Sequence, residues 1–476
     1  MGCGPDGYLV YLPAPDEPEE DRASVSHTIA PIPLEPGEER FRCHAWTLDN
    51  ERPVYVNAVH FLNAGSIHHS NWYVVPDTVY DGPDGTFDCG ERDFDGLAAA
   101  QAGTVLFAQS TQAWEESLAF GDGTVIRIPE RSRIVGELHV LNLAPAARDT
   151  DARITLELLH PYHVETVLNP MLLSYLPIEV PGGTEVVHRT TCFVGEDLVI
   201  HHVLPHFHGT TNLFDLRMDD SADSLLRIEG FGASPLGTAF DPPLEVPESS
   251  KLTMSCRIRN PYAETIEWGI GIDEMCLAFA MVDSRSLNVG VATQPDELRI
   301  VDDVLSRSAK CDWVRGTPGA AGQLPYHEER GEPLYIPPNV DEVEDIPAPE
   351  CVDADSSVAP TVEATLANVE AHVLEPWCSF SACHGVAEAA GLFLGAANLH
   401  GQLMGHEVIS DTDLPLVEPG DAEGSWLYRM VSRCEPGGGS VHMPRNAPVL
   451  LDDETVAIVR AWIDAGAPDG DRGPGE

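Results

Sequence analysis

The sequence predicts a multidomain protein: two antiparallel β-sandwiches followed by a separate, mainly α-helical module. From about residue 41 to 290 the chain runs in short apolar segments, many alternating, broken by Gly, Pro, Asn and Asp, the mark of half-buried strands and turns. Beyond about residue 360 the apolar period becomes helical. An acidic, proline-rich stretch separates the two regimes.

Residues 1–40 are rich in Pro, Glu and Asp and read as an extended lead-in. Residues 41–168 form the first sandwich, with apolar runs at Val54 to Leu62, Arg133 to Leu143 and Arg153 to His160. A boundary near Asn169-Pro170 opens the second, residues 169–300, with runs at Leu198 to Met218, Lys251 to Arg259 and Thr265 to Val282. Residues 301–360 read as a stiff linker, because Pro333, Pro337, Pro338, Pro347, Pro349 and Pro360 among many acids leave little to pack. In residues 361–472, Val362, Leu366, Val369 and Val373 share one helical stripe, as do Val456, Val459 and Ile463 after a capping Asp452 or Asp453.

A formal charge of −50, from 77 acidic and 27 basic residues, excludes nucleic acid and anionic lipid as direct partners. No apolar run approaches the ~20 residues that a membrane-spanning helix needs. Eleven scattered cysteines point to an oxidising compartment, so the expected location is periplasmic, extracellular or an outer-surface lipoprotein. The start, Met1-Gly2-Cys3-Gly4, has no charged n-region followed by an apolar h-region. Either an export signal lies upstream, or Cys3 is the remnant of a lipid-anchored maturation site.

Nineteen histidines need sorting. In Pro205-His206-Phe207-His208-Gly209 the two histidines are two apart, so on a strand they face one side and can share an ion. The bland alternative is two surface histidines at a strand end. His68-His69 can share an ion only at a bend, a bulge or a sheet edge, and Gly65 and Ser66 make one plausible. His139, in Gly136-Glu137-Leu138-His139-Val140, can add a third nitrogen, although alone it reads as a hydrogen-bonded core residue. Met275, in Asp273-Glu274-Met275-Cys276, carries a thioether suited to Cu(I), and alone reads as core filling. Spacing does not reject His201-His202, His160 or His163.

In this order the residues resemble the copper type II, ascorbate-dependent monooxygenases, the family of peptidylglycine α-hydroxylating monooxygenase and dopamine β-monooxygenase. The resemblance spans roughly residues 40–285 and runs through a His-His pair, a lone His in a strand, a His-x-His-Gly and a Met in Asp-Glu-Met-Cys. It implies two jelly-roll-like copper domains with two mononuclear coppers. One, on His206, His208 and Met275, is where O2 reacts. The other, on His68, His69 and His139, relays an electron. The product is a hydroxylated carbon, and the second oxygen atom leaves as water. It also implies disulfides Cys43–Cys89 and Cys256–Cys276, each worth ~2–4 kcal/mol, and matches Cys192 to a further half-cystine whose displaced partner is assigned to Cys311. The implied partners are O2, a small organic substrate and an electron donor, ascorbate-like or a redox protein.

Departures from the family narrow the substrate. The peptide-amidating members hold a substrate carboxylate with Arg, Asn and Tyr at positions that here are Leu204, Leu277 and Phe279. An unpaired buried carboxylate is costly, so the expected substrate is neutral or largely apolar. Glu137 replaces a Gln two residues before the lone His, on the inter-copper electron route. These losses also allow a second reading, a copper/haem electron-transfer or copper-binding protein on the same scaffold without hydroxylase activity. A third is an adhesion or structural β protein with incidental histidines.

Cys378-Ser379-Phe380-Ser381-Ala382-Cys383-His384-Gly385 is a Cys-x4-Cys-His-Gly sequence, two residues longer than ordinary haem attachment. With Gly391 to Leu394, Pro419-Gly420-Asp421, Ser425 to Tyr428, His442-Met443-Pro444 and Ala461 to Pro468, it resembles the cytochrome c-like domains appended to exported bacterial proteins. The resemblance implies haem c on Cys378 and Cys383 with axial His384 and Met443, Met404 and His442 standing as substitutes for Met443. The alternative is a cytochrome fold without haem, in which two of Cys378, Cys383 and Cys434 form a disulfide. With haem, the module is a source of electrons for the coppers in place of ascorbate.

Overall fold

A computed structural model describes residues 2–3, 9–10 and 21–469, apart from 36–37, 64–66, 110–114, 143–146, 150–151, 209, 220, 230–236, 261–263, 270–272, 302–303, 317–321, 343–349, 380–382, 386–390, 396–397, 409–411, 438–441 and 445–448, and the side chains of residues 68, 109, 148 and 149. The first sandwich packs two sheets around Trp46, Trp72, Phe61 and Ile126, all almost fully buried. Its front sheet contains β1 (Glu39–Thr47), β2 (Ile67–Pro76) and β3 (Ser132–Leu141), with β3 central between the other two and Thr104–Gln109 at the edge beyond β2. Its back sheet is built on Val54–Asn63, flanked by Thr124–Ile128 and Ala152–Leu159.

The second sandwich is one continuous sheet folded over its own core of Tyr175, Phe214, Met254 and Ile258. It carries β4 (Leu198–His206) and β5 (Leu277–Asp283), paired antiparallel. Most pairing is antiparallel. The exceptions are three parallel pairs: Asn169–Tyr175 beside Leu287–Pro295, Glu185–Phe193 beside Val304–Gly316, and Thr124–Ile128 beside Thr166–Val167. This corrects the expectation of purely antiparallel sandwiches. In the second sandwich the late strands Leu287–Pro295 and Val304–Gly316 pair antiparallel with each other and slot between two early strands, each lying parallel to the early strand beside it.

Two expected boundaries move. Residues 1–40 are not all lead-in, because Arg22–Ile29 pairs with Ala152–Leu159 and sends Val25 and Ile29 into the core. Residues 301–360 are not all linker, because Val304–Gly316 lies inside the second sheet. That strand reads as polar because its outer face is exposed, while Ala309 and Trp313 pack inward and Cys311 is bonded to Cys192. The segment after it straps the first sandwich. Asn339 O accepts the buried Trp46 Nε1–H at 2.7 Å, and an Asp341 carboxylate oxygen takes the Thr28 amide at 2.7 Å and lies 3.1 Å from His27 Nδ1.

The C-terminal module is mainly helical, with helices including Leu399–Gly405, Trp426–Ser432 and Asp453–Asp464 around Trp377, Trp426 and Trp462. Asp452 caps the last of these by accepting the Thr455 amide at 3.0 Å, and Val456, Val459 and Ile463 are buried. The module starts earlier than residue 361, because Cys351 is bonded to Cys434 and Ala354 donates its amide to Ser432 O. Among the described residues no helix is long and apolar enough to cross a membrane.

Candidate metal centres and the cavity between them

Adjacent histidines need an irregular strand to point together, and β2 supplies one. His139 faces His69 across the β2–β3 ladder, while the next residue, Val140, faces Ile67, so His68 is the extra residue of a bulge. The rings of His69 and His139 lie 4.8 Å apart between centroids, at 72°. The His68 side chain lies outside the described residues. His139 is buried, its Nε2 lies 2.6 Å from Glu39 Oε1, and its ring stacks on Phe41 at 4.2 Å. A carboxylate so placed fixes an imidazole's orientation and raises its basicity, the usual support of a metal-bound histidine. Glu137 shares this face; burial pushes its carboxyl up, a hydrogen bond from Asn71 pulls it down, and Asp95 adds to the rise.

The second group forms where β4 ends. His206 faces Leu277 across the β4–β5 ladder, two residues after Met275. The rings of His206 and His208 stand nearly perpendicular, with centroids 5.5 Å apart. Burial, helped by His208, pushes the His206 pKa down to about 4, so at neutral pH the ring keeps a lone pair for a metal. His208 Nδ1 lies 2.7 Å from Asp273 O. A carbonyl only accepts, so Nδ1 carries the proton and Nε2 is left with the lone pair.

Glu274 joins the two halves of this group. Its buried carboxylate accepts the amides of His208, Thr210, Thr211 and Met275 and the Thr210 hydroxyl, at 2.8–3.0 Å. The Cys256–Cys276 disulfide pins the residue after Met275 to the neighbouring core strand. Among the described residues, no three His, Cys, Asp or Glu side chains converge as a metal-binding group.

A cavity of about 190 Å³ lies between the sandwiches, with Phe107 and Leu118 of the first facing His202, Leu204, Phe279 and Met281 of the second. Its floor is ordered by the β4–β5 ladder, where His202 faces Met281, Leu204 faces Phe279, and His206 faces Leu277. The cavity thus begins one same-face step from His206, about 7 Å along the strand. Phe279 also packs on the outer face of the front sheet, against the cluster that includes Cys43 and Val135.

In the C-terminal module, Cys378 and Cys383 are free thiols. Burial pushes both pKa values up to about 12; each thiol also feels a neighbour, Cys383 for Cys378 and the Glu39 carboxylate for Cys383. His384 donates its amide to Cys378 O at 3.0 Å, and Met443, like Cys378, packs on the module's core. Met404 is exposed, and burial lowers the pKa of His442. Residues 380–382 of the motif lie outside the described residues. Cys434 bonds to Cys351, so the alternative in which two of Cys378, Cys383 and Cys434 form a disulfide does not hold here; the 83-residue loop it closes ties the module's first segment to its core. Cys383 also packs on buried Leu141, two residues after His139 on β3 and cross-strand from Glu39.

The remaining histidines have other work. His160 Nδ1 accepts the Tyr162 amide, and His163 pairs with Asp21 at 2.9 Å. His201 is partly buried near Asp283, whereas His202 faces the cavity. Disulfides join Cys43 to Cys89, Cys192 to Cys311 and Cys256 to Cys276. Sequence reasoning assigned no role to Glu39 or Glu274, and left His202 open as one of an adjacent pair. Glu274 carried a signal in its place inside the Asp-Glu-Met-Cys motif, and Glu39 carried none.

No family model and no curated protein matches this chain. A solved structure described as "The Triple Jelly Roll Fold and Turret Assembly in an Archaeal Virus" is 9% identical, with a TM-score of 0.14. The match covers 56% of this chain and 60% of that one, and at this TM-score it says nothing about function.

Proposed function

We propose that the chain is a copper-dependent monooxygenase that hydroxylates a C–H bond of a small, neutral or apolar molecule with O2. In this reading His206, His208 and Met275 hold one copper, and His68, His69 and His139 hold the other. The observation that carries it is the pinning of the Met275 and His208 backbones by one buried carboxylate, beside two imidazoles whose tautomer and protonation suit a metal. Copper, when bound, supplies the one-electron chemistry that activates O2. The chain's own residues do the rest: Glu39 orients His139, Glu274 holds the Met275 loop against the His-x-His turn, and the cavity lies one same-face step along β4 from His206.

The C-terminal module is read as cytochrome c-like and as the electron donor. The free thiols of Cys378 and Cys383, followed by His384, fit covalent haem attachment, and Met443 is the residue to complete the axial pair. The packing of Cys383 on Leu141 supports delivery to the His69–His139 centre first.

Metal and haem analysis of the exported, oxidised protein tests both parts, with two coppers and one haem per chain expected. O2 consumption with a reductant and candidate substrates should disappear in Met275→Ile. Copper-replete protein that consumes O2 equally well with isoleucine there would end the proposal. Copper binding without substrate-dependent O2 use would favour the electron-transfer reading.

A further inference from the structure

Three polar side chains line the cavity between the sandwiches, Glu116, Ser117 and His202, and the copper reading uses none of them. His202 follows the alternation of β4, so its side chain shares a face with Leu204 and His206. Its imidazole makes no hydrogen bond among the described residues, and it faces a space walled by Phe107, Leu118, Phe279 and Met281. Gly237 closes over the ring so tightly that a Cβ there would lie 2.3 Å from His202 Nε2. A larger residue at 237 would displace the imidazole. Burial pushes the His202 pKa down to about 4, so the ring is neutral across the physiological range and offers one donor and one acceptor.

An imidazole enclosed by apolar walls costs free energy unless something hydrogen-bonds to it. Water is a poor tenant where most of the wall is apolar. A charged ligand group is a poor one too: the neutral ring pairs no charge, Glu116 in the wall repels an anion, and that carboxylate already has a partner of its own. A cavity of roughly 150 Å³ accommodates benzene, so about 190 Å³ suits a ring or short chain with one small substituent.

We propose that this cavity binds the compound to be hydroxylated, a molecule of about eight to ten non-hydrogen atoms, apolar over most of its surface. One uncharged hydroxyl or carbonyl group on it hydrogen-bonds to His202. Only the fate of the bound ligand rests on the monooxygenase reading; binding itself does not.

Four probes that share one ring separate the possibilities: toluene, benzyl alcohol, benzoate and benzylamine, titrated into the copper-free full chain by calorimetry. Benzyl alcohol is expected to bind tightest, about five- to ten-fold better than toluene, the worth of one neutral hydrogen bond. Benzoate and benzylamine should each bind at least ten-fold more weakly than the alcohol. His202→Phe should remove the alcohol's advantage while toluene still binds, His202→Gln should restore part of it, and Leu204→Trp should abolish binding of all four. Equal or tighter binding of either ion overturns the proposal, as does an alcohol preference that survives in His202→Phe. Binding of none of the probes to the wild-type chain overturns it as well. Copper content is measured separately: a chain without copper that still binds benzyl alcohol through His202 keeps the cavity and loses the oxidation.

Discussion

Glu274 Oε2 accepts the backbone amide of His208 at 2.8 Å, and the same oxygen takes the amide of Met275 at 3.0 Å. Two segments 66 residues apart in sequence are thereby held to one atom. With Oε1 on Thr210 and Thr211, the carboxylate replaces solvent for five donors at the point where the chain turns away from β4.

Glu274→Ala should therefore remove both order and metal. Buried donors left without an acceptor cost ~1–3 kcal/mol each, so several at once predict a loss of at least about 3 kcal/mol in urea unfolding. Copper bound per chain should fall from two to one. Glu274→Gln keeps the volume but turns one acceptor into a donor facing amides, and should fall between. Full copper content in Glu274→Ala would separate this carboxylate from the metal centre.

Glu39 makes a comparable contact in the first sandwich, spanning 100 residues to His139. Loss of a carboxylate behind a ligating histidine typically costs 10–100-fold in metal affinity. Glu39→Gln should weaken only the His69–His139 centre by that factor, read by competition with a copper chelator. The signal of the His206–His208 centre should stay unchanged. An equal loss at both centres would mean that Glu39 acts through the fold.

What the sequence disclosed, and what it hid, follow from range. His206 and His208 were legible from their spacing, although only His206 lies on β4, which ends there, and the bulge at His68 because adjacent histidines demand one. The strands Arg22–Ile29 and Val304–Gly316 were not, since each has a largely exposed face and is placed by its neighbours in the sheet. Glu39 was invisible for the same reason: nothing near it announces that ladder register will set it against His139. Leu204 and Phe279 were legible as departures from a pattern, but that they pair across one rung and floor a cavity with His202 is a property of the sheet.

Buried histidines should make the fold acid-labile. Burial, and the nearby Arg307, push the His188 pKa to about 3, and burial does the same to His44. In the unfolded chain both titrate near 6.5. Below that value the unfolded state binds protons that the native state refuses, so stability is complete above pH 6.5 and falls towards pH 3. Each histidine contributes a slope of about 1.4 kcal/mol per pH unit. His188 is not among the proposed ligands and packs on Tyr175. In metal-free protein His188→Gln should flatten the stability curve between pH 6 and 4 by that slope, as measured by urea titrations. An unchanged slope would show that His188 is protonated in the native state.

The contact between Cys383 and Leu141 makes the last prediction, because it joins the helical module to the strand that carries His139. Leu141 is fully buried, and its cross-strand neighbour Glu39 holds His139 and also acts on the Cys383 thiol. A carboxylate at position 141 would be desolvated against that thiol and repelled by Glu39, so Leu141→Asp should prise the module from the sandwich. In haem-free protein this should read as faster alkylation of Cys383 by iodoacetamide, since the thiol is partly buried and burial pushes its pKa up, which keeps it slow to react at neutral pH. In haem-loaded, copper-loaded protein, stopped-flow reduction of the His69–His139 copper by the haem should slow at least ten-fold, while its reduction by added ascorbate is unchanged. Faster alkylation with undiminished haem-to-copper transfer would leave the contact structural and move the electron path elsewhere.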